Sequence, residues 1–140
     1  MKKKFRSSCI IASALDLIGD KWSLLIIRDM LLFEKKTFKD FAESDEGIAT
    51  NLLSTRLKML ESIGLLTKRK LPANKKTNVY LLTNKGIELA PIIMEIVVWS
   101  DRHVREEHSE MNAYDRSQNK IGMIEAVQEA YREFIRKTIA

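Results

Sequence analysis

Little in this 140-residue chain is suited to covalent or metal chemistry, since it has one cysteine and two histidines. A single cysteine excludes an internal disulfide framework, and one cysteine with two histidines makes a zinc finger implausible. His103 and His108, with Glu106 and Glu107 between them, lack the one-turn spacing of a helical zinc enzyme and read as a solvated helix end. The glycines form no phosphate-cradling loop, and the serines and aspartates form no nucleophile motif. No catalytic residue, metal or cofactor is therefore expected. No apolar run approaches the roughly 18 residues of a membrane span, and Leu24 to Ile27 reads as one face of a helix. The basic start, Met1 to Arg6, is followed by Ser7 to Ser13, too short a core for a secretory signal before Asp16 arrives. These absences lead to the expectation of a cytoplasmic protein without a membrane partner. There is no internal repeat and no low-complexity segment.

What remains is an ordinary globular composition, 45% hydrophobic and 31% charged. Its charge is uneven: residues 1–105 carry 19 Lys and Arg against 12 Asp and Glu, whereas residues 106–140 carry 5 against 7. A basic body suggests a polyanion partner, and the acidic end suggests a self-association element. The expected organisation is one unit over residues 7–105 and a C-terminal helical extension over 106–140, with Glu106 to Gln118 as linker.

Apolar spacing places a first helix after Ser7 or Ser8, either of which can cap it, ending at Gly19. Asp20 caps a second helix, apolar on most sides and hence central. Thr37 caps a short third helix through Glu43, and Ser44 to Gly47 is a turn. A fourth helix spans Ala49 to Ile63, with Gly64 at a left-handed C-cap position. Leu65 to Leu71 and Asn78 to Leu82 read as a hairpin around a Pro72-to-Lys76 turn. Thr83 caps the next helix, which Pro91 kinks or restarts. Asn119 to Thr138 is a last, amphipathic helix. The fold class is thus mainly α with a small β-hairpin wing: a winged helix-turn-helix whose C-terminal helices carry apolar surface for dimerisation.

On the fourth helix, Leu52, Leu53, Leu57, Met59, Leu60 and Ile63 fall within one arc of about 160°. The opposite face starts with Thr50, Asn51, Ser54, Thr55 and Lys58, and no acid occurs there before Glu61. Such a face suits the phosphates and base edges of a duplex, where the phosphates repel a carboxylate, although a polar face is also the ordinary state of any surface helix. Arg56 falls inside the apolar arc, so its stem should pack while its head pairs with a carboxylate or a phosphate. Lys68, Arg69, Lys70, Lys75 and Lys76 give the hairpin five cations and no acid between Leu65 and Leu82. Such a cluster repels itself unless a polyanion lies near; the alternative is lysine protection of a sheet edge.

Cys9-Ile10-Ile11-Ala12, Ala14 to Trp22, Leu24 to Asp29, EGIATNLLSTRLKMLESIGLL (residues 46–66) and YLLTNKG (residues 80–86) together resemble the HxlR-type winged-helix regulators, collinearly from Cys9 to about His103. The resemblance implies a homodimeric bacterial transcriptional regulator, MarR-like in style. It also implies a recognition helix at 49–63, a wing at 66–82 and an N-terminal helix in the dimer interface. The stretch after Glu110 lies outside that pattern.

Dimerisation is physically sensible, because two modules about 34 Å apart read successive major grooves of double-stranded DNA. Ile92, Ile93, Ile96, Val97 and Trp99 supply the apolar surface. The expected function is sequence-specific regulation at a pseudo-palindromic operator; the competing one is a protein-protein adaptor built on the same fold. Cys9, at a helix start near Lys2, Lys3, Lys4 and Arg6, is a redox-sensing candidate, since helix N-termini and cations favour thiolate. Some members of the resembled family sense oxidants or electrophiles at the matching position. A buried, inert thiol is the other reading. No small-molecule effector is indicated.

Overall fold

The computed structural model describes residues 4–140, so Lys2 and Lys3, named above as neighbours of Cys9, lie outside the described residues. Helix α1 (Ile10–Ile18) starts one residue later than a cap at Ser8 suggests and two later than one at Ser7. Its cap is Cys9, whose backbone is extended and whose Sγ accepts from the Ala12 N–H at 3.5 Å. Ser7 instead uses its Oγ to accept the Cys9 N–H at 3.3 Å.

Helix α2 (Lys21–Phe33) is capped by Asp20, which accepts from the Ser23 N–H at 2.9 Å and from its hydroxyl at 2.6 Å. Ile26, Ile27, Met30 and Leu31 are buried, so α2 is the central helix. Helix α3 (Phe38–Ala42) opens with a reciprocal capping box between Thr37 and Asp40. Helix α4 (Thr50–Ser62) buries Leu53, Leu57 and Leu60 at 2% exposure or less. Each such leucine contributes roughly 2 kcal/mol of apolar burial. The chain leaves α4 through Gly64, at φ 81°, the left-handed conformation that favours glycine.

Strands β1 (Leu66–Leu71) and β2 (Asn74–Leu82) form one antiparallel ribbon with Leu66 opposite Leu82 and Lys70 opposite Asn78. The turn is shorter than the sequence suggested. Asn74, Lys75 and Lys76 belong to β2, Leu71 pairs with Asn74, and the register shifts between Lys70 and Leu71. Residues 75–77 therefore bulge from the ladder near the tip. The bulge is stitched locally, since Asn74 Oδ1 accepts the Lys76 N–H at 3.1 Å.

Thr83 caps the one-turn helix α5 (Asn84–Ile87). Helix α6 (Ala90–His103) then restarts with Pro91 in its first turn, where a missing N–H breaks no bond. After a 3-10 turn at Arg105–Glu107, the connector reaches α7 (Lys120–Ile139), capped by Asn119. The connector is pinned to α6: buried Asp101 accepts from Arg105 and Arg116, each at 2.7 Å. Arg105 also donates to the Met111 and Asn112 carbonyls. Helix α7 folds back onto the winged-helix core, and its Tyr131 is fully buried there. Among the described residues no helix is long and apolar enough to cross a membrane.

Candidate nucleic-acid interface

Helix α3, the turn at 44–47 and α4 make the helix-turn-helix. Their relative setting is fixed by Asp29, a buried carboxylate on α2. Asp29 accepts from Arg28 and makes a short contact with the Ser44 hydroxyl, while Lys35 lies 3.8 Å away. Arg28 extends the brace across the turn to Glu46, with contacts of 2.8 and 3.0 Å. The hydrogen bonds from Arg28 hold the Glu46 carboxyl below the usual carboxylate range.

Of the five polar residues that open the face opposite the apolar arc, Thr50, Asn51, Thr55 and Lys58 are exposed, and Ser54 is half-buried. Ala49 gives α4 no side-chain cap, so early amides of the helix lack that acceptor. Asn51 Oδ1 takes the Leu52 N–H at 3.0 Å, which leaves its Nδ2 hydrogens available. Thr55 donates to the Asn51 carbonyl at 2.9 Å and keeps its oxygen as an acceptor. Glu61 follows on the same side but beyond the helix midpoint.

For Arg56 the structure supplies the carboxylate of the two expected partners. Its Nε lies 3.2 Å from Asp20 Oδ1, and both side chains are about 30% exposed (30% and 29%). The geometry is that of a charge contact, because the buried Nε makes no directed hydrogen bond. Burial raises the Asp20 carboxyl, but the hydrogen bonds from Ser23 together with the charge of Arg56 outweigh it and leave the group below its ordinary value. Sequence reasoning identified Asp20 only as a helix cap; its second task, holding the flank of α4, has no local signature.

The ribbon projects a cationic surface. Lys68, Arg69 and Lys70 on β1 and Lys75 and Lys76 on β2 are all exposed. None of these five has an acidic partner among the described residues, nor does Lys58. Positive charge on the wing thus follows the α4 face, whose first half holds no acid, without neutralisation among the described residues.

Cys9 is exposed, and Arg6 nearby is engaged by Asp16 at 2.5 Å. His103 packs its ring against Trp99, with centroids 5.2 Å apart. On α6, Ile93 turns into the chain's own core, whereas Ile92, Ile96 and Trp99 stay 40%, 47% and 60% exposed along a shallow groove of about 460 Å³.

A family model described as HxlR-like helix-turn-helix matches residues 17–108. The HTH-type transcriptional regulator YodB of Bacillus subtilis is 34% identical over 90 residues, which cover 64% of this chain and 80% of YodB. Longer mycobacterial relatives are spanned over 58% of their length. The crystal structure of PA1607 superposes with TM-score 0.69 at 31% identity, over 81% of this chain and 79% of that one. The redox regulator HypR in its oxidised form superposes with TM-score 0.60 at 26% identity, over 68% of this chain and 97% of HypR. YodB itself has been solved reduced, diamide-treated and quinone-bound. The braced turn, the helix whose polar face starts without acid and the cationic ribbon stand on a sequence whose matched stretch is most of its length, and the chain belongs to the HxlR-like helix-turn-helix family.

Proposed function

We propose that this chain is a transcriptional regulator that binds double-stranded DNA as a homodimer at a pseudo-palindromic operator. The observation that carries the reading is an exposed α4 face with no acid before Glu61, joined to wing cations that no carboxylate of the described residues neutralises. Asn51, Ser54, Thr55 and Lys58 face the major groove. Thr50 and Arg56 lie at the phosphate margin, where Arg56 divides its charge between Asp20 and the backbone. Lys68, Arg69, Lys70, Lys75 and Lys76 follow the flanking phosphates. In this reading residues 7–105 bind DNA and carry the dimerisation helices, with 106–140 as the extension.

A gel shift with random-sequence duplex at low salt tests this directly. Measurable nonspecific affinity is expected, falling steeply as salt rises. Lys75→Ala with Lys76→Ala should weaken binding to every sequence and lower the slope of log affinity against log salt by about 1.8, two phosphate contacts' worth. Absence of any affinity for duplex would favour the adaptor reading, and an unchanged slope would remove these lysines from the contact surface.

Thiol sensing is a second component, favoured by the exposure of Cys9 and by relatives described as a redox regulator and as quinone-bound. With one cysteine per chain, oxidation either joins two chains through Cys9 or caps the thiol. Mass spectrometry after mild oxidant, paired with the gel shift, is expected to show a modified Cys9 and altered operator affinity. A modified thiol with unaltered affinity removes Cys9 from regulation.

A further inference from the structure

We propose that α7 is the strut that sets the aim of the wing, with Tyr131 as the positioning residue; the consequence for DNA rests on the reading just given. A two-stranded ribbon has outer edges whose N–H groups need acceptors outside the sheet. At the root of β2 two such amides are satisfied from elsewhere in the chain. The Tyr80 N–H donates to the Lys36 carbonyl at 2.7 Å, and the Leu82 N–H donates to the Tyr131 hydroxyl at 2.9 Å. The second bond is buried and joins residues 49 apart in sequence. Removing the hydroxyl would strand a buried donor, the costly case for a lost hydrogen bond.

The same face of α7 reaches the other anchors of the wing. Phe134 lies beside Tyr131, with ring centroids 5.6 Å apart, and under the ammonium of Lys36, whose carbonyl holds Tyr80. Gln128 donates its Nε2 hydrogen to the Ile87 carbonyl at 3.2 Å, just past the wing's exit. Helix α7 therefore touches the segment before the helix-turn-helix, the edge of β2 and the turn after it. Among the described residues the side-chain bonds at the tip are local, with Asn74 accepting the Lys76 N–H and donating to Thr77, so its direction is determined at the root. The stretch shared with the family model ends at residue 108, before this strut begins.

Tyr131→Phe keeps the ring and removes the donor's acceptor. Amide exchange at Leu82 should accelerate by about tenfold or more, and affinity for random duplex should drop roughly three- to tenfold. The salt slope should move towards that of the Lys75→Ala, Lys76→Ala chain, and adding Tyr131→Phe to that chain should bring a smaller loss than it brings alone, because fewer wing cations remain to be misplaced. Gln128→Ala, at a half-buried position that leaves the core intact, should give the same pattern at smaller size. Unchanged exchange at Leu82, or an equal loss of affinity in both backgrounds, overturns the proposal, because general destabilisation is indifferent to the wing lysines. If the unaltered chain binds no duplex, the DNA reading fails by itself, and exchange at Leu82 still decides whether α7 holds the wing.

Discussion

Replacing Ile96 and Trp99 together by aspartate should leave a folded monomer whose affinity for a palindromic operator is at least about a hundredfold lower. Both side chains point away from the chain's own core, at 47% and 60% exposure, so new charge there meets water in the monomer and has little to disrupt. Ile92 continues the same face, and α1 exposes Ile10, Ile11 and Leu15 at 88%, 70% and 53%. Soluble monomers seldom leave this much large apolar side chain uncovered, and in the homodimer proposed above a second copy covers it. In a dimer the same aspartates would be desolvated without partners, which is prohibitive. The hundredfold figure reflects loss of the second half-site, since one module then binds without the effective concentration supplied by its twin. Sedimentation of the unaltered and altered chains, with gel shifts on a duplex selected by the unaltered protein, reads both effects. If the aspartate chain still sediments as a dimer, the interface lies elsewhere.

Short-range chemistry was the legible part of this molecule. Asp20, Thr37 and Thr83 cap the helices assigned to them, Gly64 takes the left-handed exit from α4, and Pro91 sits where α6 restarts. Each of those signals acts over a few residues, which is why pattern alone finds it. Cys9 displaced the expected serines because capping needs only an acceptor at the right backbone position, and a thiol supplies one as well. The wing keeps its bounds of 66–82, but its return strand is longer than the pattern suggests, since polar Asn74, Lys75 and Lys76 read as turn while a bulge allows them to stay in β2. Long-range pairings left no trace in periodicity. The spacing of α7 showed a helix with an apolar stripe but not that Tyr131 would meet a β-strand amide. The arc on α4 likewise placed Arg56 at the edge of the core without naming Asp20. The candidate DNA face was legible because it depends on which side of α4 is apolar, whereas the supports behind it depend on the tertiary fold.

Gly86→Ala should be the most damaging single-methyl change in the winged helix, costing roughly 3 kcal/mol and lowering the melting temperature by about 10 °C. Backbone freedom is not the reason, because the positive-φ glycines are Gly47 and Gly64. The reason is contact: a Cβ at Gly86 would sit 2.2 Å from the Leu65 carbonyl oxygen and 2.9 Å from Leu82 Cδ2. Leu82 Cδ2 is the end of a rotatable side chain, but the carbonyl is held, since it already accepts the Thr83 N–H at 3.1 Å. Neighbouring bonds make the joint stiffer still. Thr83 donates its hydroxyl to the Gly64 carbonyl at 2.6 Å, and Lys85 donates to the Ile63 carbonyl at the same distance. The end of α4, the root of the wing and α5 are thus a single knot, and a methyl group inside it must separate them. Thermal unfolding followed by circular dichroism measures the shift, and a Gly86→Ala chain within about 2 °C of the parent would show that the knot yields. A chain that stays folded at low temperature should also lose DNA affinity, because the separation displaces the recognition helix and the wing relative to each other.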